Sequence, residues 1–150
     1  MKVYYNSTLA RTILCKGYGT IMLFGAVFTK HAELTEDTVR HEAIHAAQYR
    51  ECCILAALIW LIVSGVIHLF GGSLSAWWLA GVPLFYYGLY GVECGISYVY
   101  HMIRGDAREK LNDTVYYASA FEMEAHGHET DADYLRTRPL LAFIRYYGTI

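Results

Sequence analysis

Two histidines and a glutamate with the spacing of a metal site lie near the middle of the sequence. Residues 41–45 read His-Glu-Ala-Ile-His. Side chains four positions apart lie on the same face of a helix, so His41 and His45 can offer ring nitrogens to one cation. Glu42 follows the first histidine and would point toward the open coordination position. The motif predicts a zinc site in which Glu42 takes a proton from a zinc-bound water.

A catalytic zinc also needs a third protein ligand, and the later segment "FEMEAHGHETDAD" can supply one. If this segment is helical, its metal-binding side chains fall on two faces. Glu122, His126, Glu129 and Asp133 share one face, and Glu124, His128 and Asp131 share the other. The residues alone leave the choice of ligand open.

His-Glu-x-x-His followed at a distance by Glu-x-x-Ala-Asp resembles the gluzincin metallopeptidases. It is similar in particular to the membrane gluzincins that process prenylated or damaged membrane proteins. In those enzymes the Glu of the second motif binds zinc, and the Asp supports a zinc-binding His. "FEMEAH" matches with Glu122 as the ligand and His126 at the position of the Asp. "ETDAD" matches in full, with Glu129 as the ligand and Asp133 as the support.

The pair "HEAIHAAQYRE" and "AFEMEAHGHE" is also similar to small bacterial membrane proteins with His-Glu-x-x-His-x-x-Gln and a downstream Phe-Glu-x-Glu-Ala segment. This likeness covers most of the chain after Arg40 and favours Glu122 as the third ligand. Glu129 is the alternative, followed by Glu124 or a histidine. The resemblance implies a zinc metalloendopeptidase of the bacterial inner membrane, with a peptide or a membrane protein as substrate.

Two long segments without basic residues predict an integral membrane protein. All 12 Lys and Arg residues lie before Cys53 or after Ile103, and Glu93 is the only acid between those points. Residues 53–70 and 76–103 are each near the ~20 residues that cross the hydrocarbon core as a helix. We expect them to form a two-helix transmembrane hairpin, with Glu93 facing its interior or a polar cavity near the site.

A hairpin would place both termini and the metal site on one side of the membrane. Basic residues flank the two spans on that side, whereas the turn 71–75 carries no charge, which predicts a cytoplasmic location. The flanking residues are Arg40, Arg50, Arg104, Arg108 and Lys110. The near balance of 12 basic and 14 acidic side chains gives no indication of nucleic-acid binding.

The expected fold is a single, mainly α-helical, membrane-embedded domain over residues 1–150. Its first active-site helix would begin after an N-cap at Thr35 and run unbroken into the first span. A second would cover residues 115 to about 135. Residues 10–15 and 20–28 are expected to form a small β-hairpin, whose second strand resembles the edge strand along which zincins bind substrate.

Two other functions compete with the peptidase. A non-haem iron oxygenase or desaturase could use "HEAIH" as a histidine box, although such enzymes need more imidazoles at that spacing. A non-catalytic metal-binding membrane protein would leave Glu42 without a reactive role. For the peptidase, a hydroxyl from Tyr116, Tyr117 or Tyr134 could stabilise the developing oxyanion.

Overall fold

The structure, a computed structural model, describes residues 1–15, 17–106 and 108–148, without the side chains of residues 108–110. It is mainly helical, as predicted, and it contains a small three-stranded sheet where a two-stranded hairpin was expected. The side chains of Arg108 and Lys110, two of the predicted flanking charges, lie outside the described part. In chain order the elements are β1 (Lys2–Tyr4), α1 (Thr8–Ile13), β2 (Thr20–Leu23), β3 (Ala26–Thr29), α2 (Glu36–Leu69), a 3-10 helix (Ala76–Leu84), α3 (Phe85–Arg104), α4 (Arg108–Tyr117), α5 (Ala120–His128), α6 (Tyr134–Thr137) and a second 3-10 helix (Ala142–Tyr146).

Helix α2 is 34 residues long and joins the His-Glu-x-x-His motif to the first apolar segment without a break, as predicted. The Thr35 side chain accepts a hydrogen bond from the Thr38 N–H. Glu36 and Asp37 add negative charge to the first turn, where the helix dipole favours it. The first half of α2 is largely buried, whereas its second half is exposed and apolar, reaching 83% exposure at Leu69.

In the described part of the chain, α2 is the one helix long and apolar enough to cross a membrane. The prediction of a second span over residues 76–103 is wrong, because this segment divides into the 3-10 helix Ala76–Leu84 and the separate helix α3. Pro83 near the junction has no N–H to donate and its ring crowds the preceding turn, which disfavours a continuous α-helix through this point. The predicted two-helix hairpin is therefore one long helix with a 3-10 segment returning beside it, where Trp78 and Val82 share a groove with Ala56 and Trp60.

The N-terminal β-hairpin exists, but its predicted boundaries are wrong. Strands β2 and β3 pair antiparallel through a two-residue turn in which Phe24 and Gly25 have φ of 51° and 79°. Positive φ at both turn positions suits the right-handed twist of a tight hairpin. Residues 10–13 are helical instead, within α1, whose first turn is capped by the Ser7 side chain accepting from the Ala10 N–H. The order β1-β3-β2 leaves β2 at an edge of the described sheet.

The helix predicted over residues 115 to about 135 is divided into α4, α5 and α6. The first break falls at Ser119, which has an extended backbone, and the second falls at residues 129–133. Glu93 of α3 stabilises the start of α5, because its carboxylate accepts hydrogen bonds from the Ser119 hydroxyl at 3.1 Å and from the Ala120 N–H. A carboxylate at this position also interacts favourably with the helix dipole. The acid in the predicted second span therefore orients a neighbouring helix.

Helix α5 packs between α2 and the second 3-10 helix, with Phe121 fully buried at the centre. The Phe121 ring stacks on Phe143 with centroids 4.5 Å apart and meets the edge of Tyr86 at 5.0 Å. Such aromatic contacts add to the free energy gained by burying the rings. They hold α5 in the orientation that turns Glu122 toward α2.

Candidate metal centre

His41, His45 and Glu122 converge on one point between α2 and α5. The two Nε2 atoms are 3.0 Å apart, and each lies 3.4 Å from an oxygen of the Glu122 carboxylate. All three side chains are buried, and their possible ligand atoms lie within 4.8 Å of one another. The structure thus brings together the three residues that the sequence analysis favoured as ligands.

This donor set suits a cation. Two imidazole nitrogens this close repel each other unless a proton or a metal ion lies between them, and Glu122 Oε2 makes no hydrogen bond of good geometry within the described residues. Burial acts to raise the pKa of Glu122, but the imidazoles of His41 and His45 lower it well below its usual value. Glu122 is therefore ionised, as a metal ligand must be. Two imidazoles and a carboxylate with an open fourth position are the ligand set of many catalytic zinc sites.

Glu42 is buried beside this cluster and lines the same cavity. Burial raises its pKa, an effect that the nearby charges of His45 and His41 partly offset. A carboxylate with a raised pKa is a better proton acceptor at neutral pH than an ordinary surface glutamate. Glu42 is thus placed to accept a proton from a group in the cavity.

Glu129, the alternative ligand, lies behind His41. Its Oε2 is 3.0 Å from His41 Nδ1 and 3.2 Å from His126 Nδ1. An ionised carboxylate can only accept, so His41 Nδ1 carries the proton and its Nε2 is left free to bind a cation. The resemblance to gluzincins led us to expect an aspartate hydrogen-bonded to a ligand histidine, and here Glu129 makes that contact. His41, His126 and Glu129 also have ligand atoms close enough to hold an ion by distance alone.

Three tyrosines approach the cluster from the other side. The Tyr90 hydroxyl donates to Glu122 Oε1 at 3.1 Å, and Tyr116 helps to lower the pKa of Glu122. The Tyr86 hydroxyl lies 3.3 Å from His45 Nδ1. Of the tyrosines proposed for the oxyanion, Tyr116 borders the cavity, whereas Tyr134 is bonded to Glu124 away from it.

The cluster opens into a cavity of about 250 Å³ that is bounded on one side by the edge strand β2. All four residues of β2 line it. This agrees with the expectation that the strand lies along the site, although the predicted span of residues 20–28 includes the turn and most of β3. The remaining lining residues are Leu14, Tyr18, His41, Glu42, His45, Tyr86, Tyr87, Tyr90, Tyr116 and Glu122.

Two other candidate ligands, Glu124 of α5 and Asp133 before α6, are not part of this cluster. Glu124 is fully buried, but its carboxylate bonds to Arg138, Tyr134 and Gln48. Asp133 is exposed and pairs with Arg136 at 3.1 Å rather than supporting a histidine.

Sequence reasoning missed several residues of this region. Gln48 belongs to the His-Glu-x-x-His-x-x-Gln motif, but the sequence analysis gave it no function. Its Oε1 is 2.8 Å from His45 Nδ1. Its spacing of three residues from His45 on one helix was the available signal. The sequence analysis did not identify Tyr86 and Tyr90 as residues of the site because it assigned residues 76–103 to a transmembrane helix.

No protein-family model, curated protein or solved structure matches this chain. The likeness to gluzincins therefore rests on the two motifs alone.

Proposed function

We propose that this protein is a zinc-dependent membrane metallopeptidase. The observation that carries the proposal is the meeting of two imidazole Nε2 atoms and one carboxylate beside a buried glutamate. His41, His45 and Glu122 would hold the metal, and a water would take the fourth position.

Zinc, when bound, supplies Lewis-acid polarisation and a water of lowered pKa. Glu42 accepts the proton of the attacking water on its carboxylate and returns it to the leaving amine nitrogen. Glu129 holds the proton on His41 Nδ1 and so orients the ring. The Tyr116 hydroxyl, which borders the cavity, is a candidate donor to the oxyanion of the substrate.

The edge strand β2 offers the substrate a backbone to pair with. Residues Thr20–Leu23 bond to β3 on one side and line the cavity. An extended peptide added to this edge would pass Glu42 and the metal ligands, with specificity set by its alternate side chains.

We further propose that the apolar half of α2, residues 53–69, anchors the protein in a bilayer, with the 3-10 return segment beside it. The support is the exposure of this apolar surface, which reaches 83% at Leu69 and 87% at the adjacent Phe70. The return segment leads into α3, which contacts α2, and α5 packs against the first half of α2, so all candidate ligands lie on one side of the anchor. Basic residues on that side and none in the turn 71–75 favour the cytoplasm.

The test is the substitution Glu42→Gln in the purified protein. Glutamine keeps the shape of the side chain but cannot accept the proton, so we expect one zinc per chain to remain and turnover to fall by about 10²–10⁴-fold. Zinc is measured by elemental analysis, and turnover by comparing the membrane proteins of cells that express each form. Turnover at the wild-type rate with zinc still bound would refute the peptidase.

The same measurements separate the competing functions. Iron in place of zinc would favour the oxygenase or desaturase. Zinc binding without peptide hydrolysis in either form would leave a non-catalytic metal-binding protein.

A further inference from the structure

Gln48 lies at the centre of a buried chain of hydrogen bonds that ends at His45, one of the candidate metal ligands. Its side chain is fully buried, one turn after His45 on α2. Its Nε2 donates to the Phe121 carbonyl at 3.0 Å and to Glu124 Oε2 at 3.1 Å. At the other end of the amide, Oε1 is 2.8 Å from His45 Nδ1.

The two acceptors on α5 leave the amide with one favourable orientation. A carbonyl oxygen and a carboxylate can only accept, so the NH₂ group must face them. Turning the amide over would place its oxygen against both acceptors, where it has no donor, and both would lose the hydrogen bond from Gln48, which is costly. The oxygen of Gln48 is therefore held toward His45.

Glu124 can act as this fixed acceptor because its charge is balanced. Arg138 reaches both of its oxygens, at 2.5 Å from Nε and 3.2 Å from Nη2, and the Tyr134 hydroxyl donates a further bond at 3.0 Å. These groups come from the segment after α5, outside the two motifs. The orientation of Gln48 thus depends on the packing of α2, α5 and the C-terminal segment together.

The fixed oxygen selects one tautomer of His45. An amide oxygen facing Nδ1 stabilises the ring only if Nδ1 carries the proton, and Nε2 then keeps its lone pair for a cation. The Tyr86 hydroxyl, 3.3 Å from the same Nδ1, can donate or accept and so does not choose between tautomers.

We propose that Gln48 is a positioning residue, held by Glu124 and the Phe121 carbonyl, that presents His45 Nε2 to the metal. The Nδ1 of His41 hydrogen-bonds to the carboxylate of Glu129. The Nδ1 of His45 instead hydrogen-bonds to the neutral amide of Gln48, whose orientation is fixed by its bonds to α5. The inference rests on the metal site of the proposed function but does not require that the site hydrolyses peptides.

The experiment compares zinc affinity, by chelator competition, among the wild type, Gln48→Met and Tyr134→Phe. Methionine fills similar space without hydrogen bonds, and we expect zinc affinity to fall by about 10–100-fold. Tyr134→Phe is the matched control, because it also removes one buried hydrogen bond to Glu124 but leaves Gln48 in place, and its affinity should stay near that of the wild type. Equal affinities in all three proteins, or equal losses in both variants, would overturn the proposal.

A spectroscopic measurement on the zinc-loaded wild type keeps the test independent of whether Gln48→Met folds. In ¹⁵N-histidine NMR, wild-type His45 should show a protonated Nδ1 and a metal-bound Nε2. In folded Gln48→Met, the His45 Nδ1 proton should in addition exchange faster, while that of His41 is unchanged. Binding of zinc through His45 Nδ1 would refute the role of Gln48. Zinc binding with this signature but without hydrolysis would refute the peptidase alone, and a wild type that binds no zinc would refute both.

Discussion

Removal of the Arg138 side-chain charge tests the buried ion cluster that ties the C-terminal segment to α2 and α5. Arg138 is 4% exposed and lies between two carboxylates, those of Glu124 and Glu51, whose side chains are 0% and 11% exposed. In Arg138→Met the apolar stem remains but the guanidinium is lost, so both carboxylates lose their counter-ion. Breaking a buried pair by removing one partner costs about 3–5 kcal/mol.

The expected magnitude lies near the lower end of that range, at about 3 kcal/mol of unfolding free energy. Glu124 keeps two donors in the variant, Gln48 and Tyr134, which partly solvate its charge. Glu51 keeps none within the described residues, because its other oxygen already has no hydrogen-bond partner there. The loss therefore falls mainly on the contact between the C-terminal segment and α2.

The assay is urea unfolding in detergent, followed by far-ultraviolet circular dichroism. Arg136→Met is the matched control, since Arg136 pairs with Asp133 on the surface, where the two side chains are 77% and 71% exposed. Exposed pairs contribute only about 0–1 kcal/mol. The reasoning fails if the two variants unfold with the same free energy, or if Arg138→Met loses less than about 1 kcal/mol.

Three further predictions concern the helix cap, the metal and the membrane. Glu93→Ala should lower the unfolding free energy by about 1–2 kcal/mol, because α5 loses its N-terminal acceptor; an unchanged urea midpoint would contradict the capping role. Zinc at a hundred times its dissociation constant should stabilise the wild type by about 2.7 kcal/mol and leave His41→Ala unchanged, as measured by thermal unfolding; equal stabilisation of both would place the ion elsewhere. With Cys52, Cys53 and Cys94 replaced, an impermeant thiol reagent added to intact cells should label a cysteine introduced by Ser73→Cys and spare Cys15, and the reverse pattern would invert the orientation.

The local parts of this fold could be predicted from the sequence because short-range signals determine them. The cap at Thr35 and the four-residue spacing of His41 and His45 depend only on helix geometry. The choice of Glu122 needed the likeness to known motifs, since helical periodicity alone placed it on the same face as Glu129. What separates them is the orientation of α5, which buried Phe121 fixes from outside the motif.

The secondary-structure predictions failed where a long-range contact or a single residue, rather than the average composition of the segment, determines the conformation. Residues 76–103 are apolar as a whole, but Pro83 ends the regular hydrogen-bond pattern and Glu93 is used to cap a distant helix. Residues 10–15 resemble a strand by residue type, but a serine cap begins a helix there. The link between Gln48 and Arg138 through Glu124 spans 90 positions of sequence, and no local pattern indicates it.

Helix α2 carries two of the three candidate ligands, His41 and His45, and the apolar segment in one unbroken helix. His45 and Cys53 are eight residues apart, which corresponds to a rise of about 12 Å along the axis. If the apolar segment lies in a bilayer, a rigid helix of this kind would fix the distance between the metal site and the hydrocarbon core through the number of residues between them. A peptidase built on it would choose among substrates partly by how far a flexible segment stands from the bilayer, whatever the sequence of that segment.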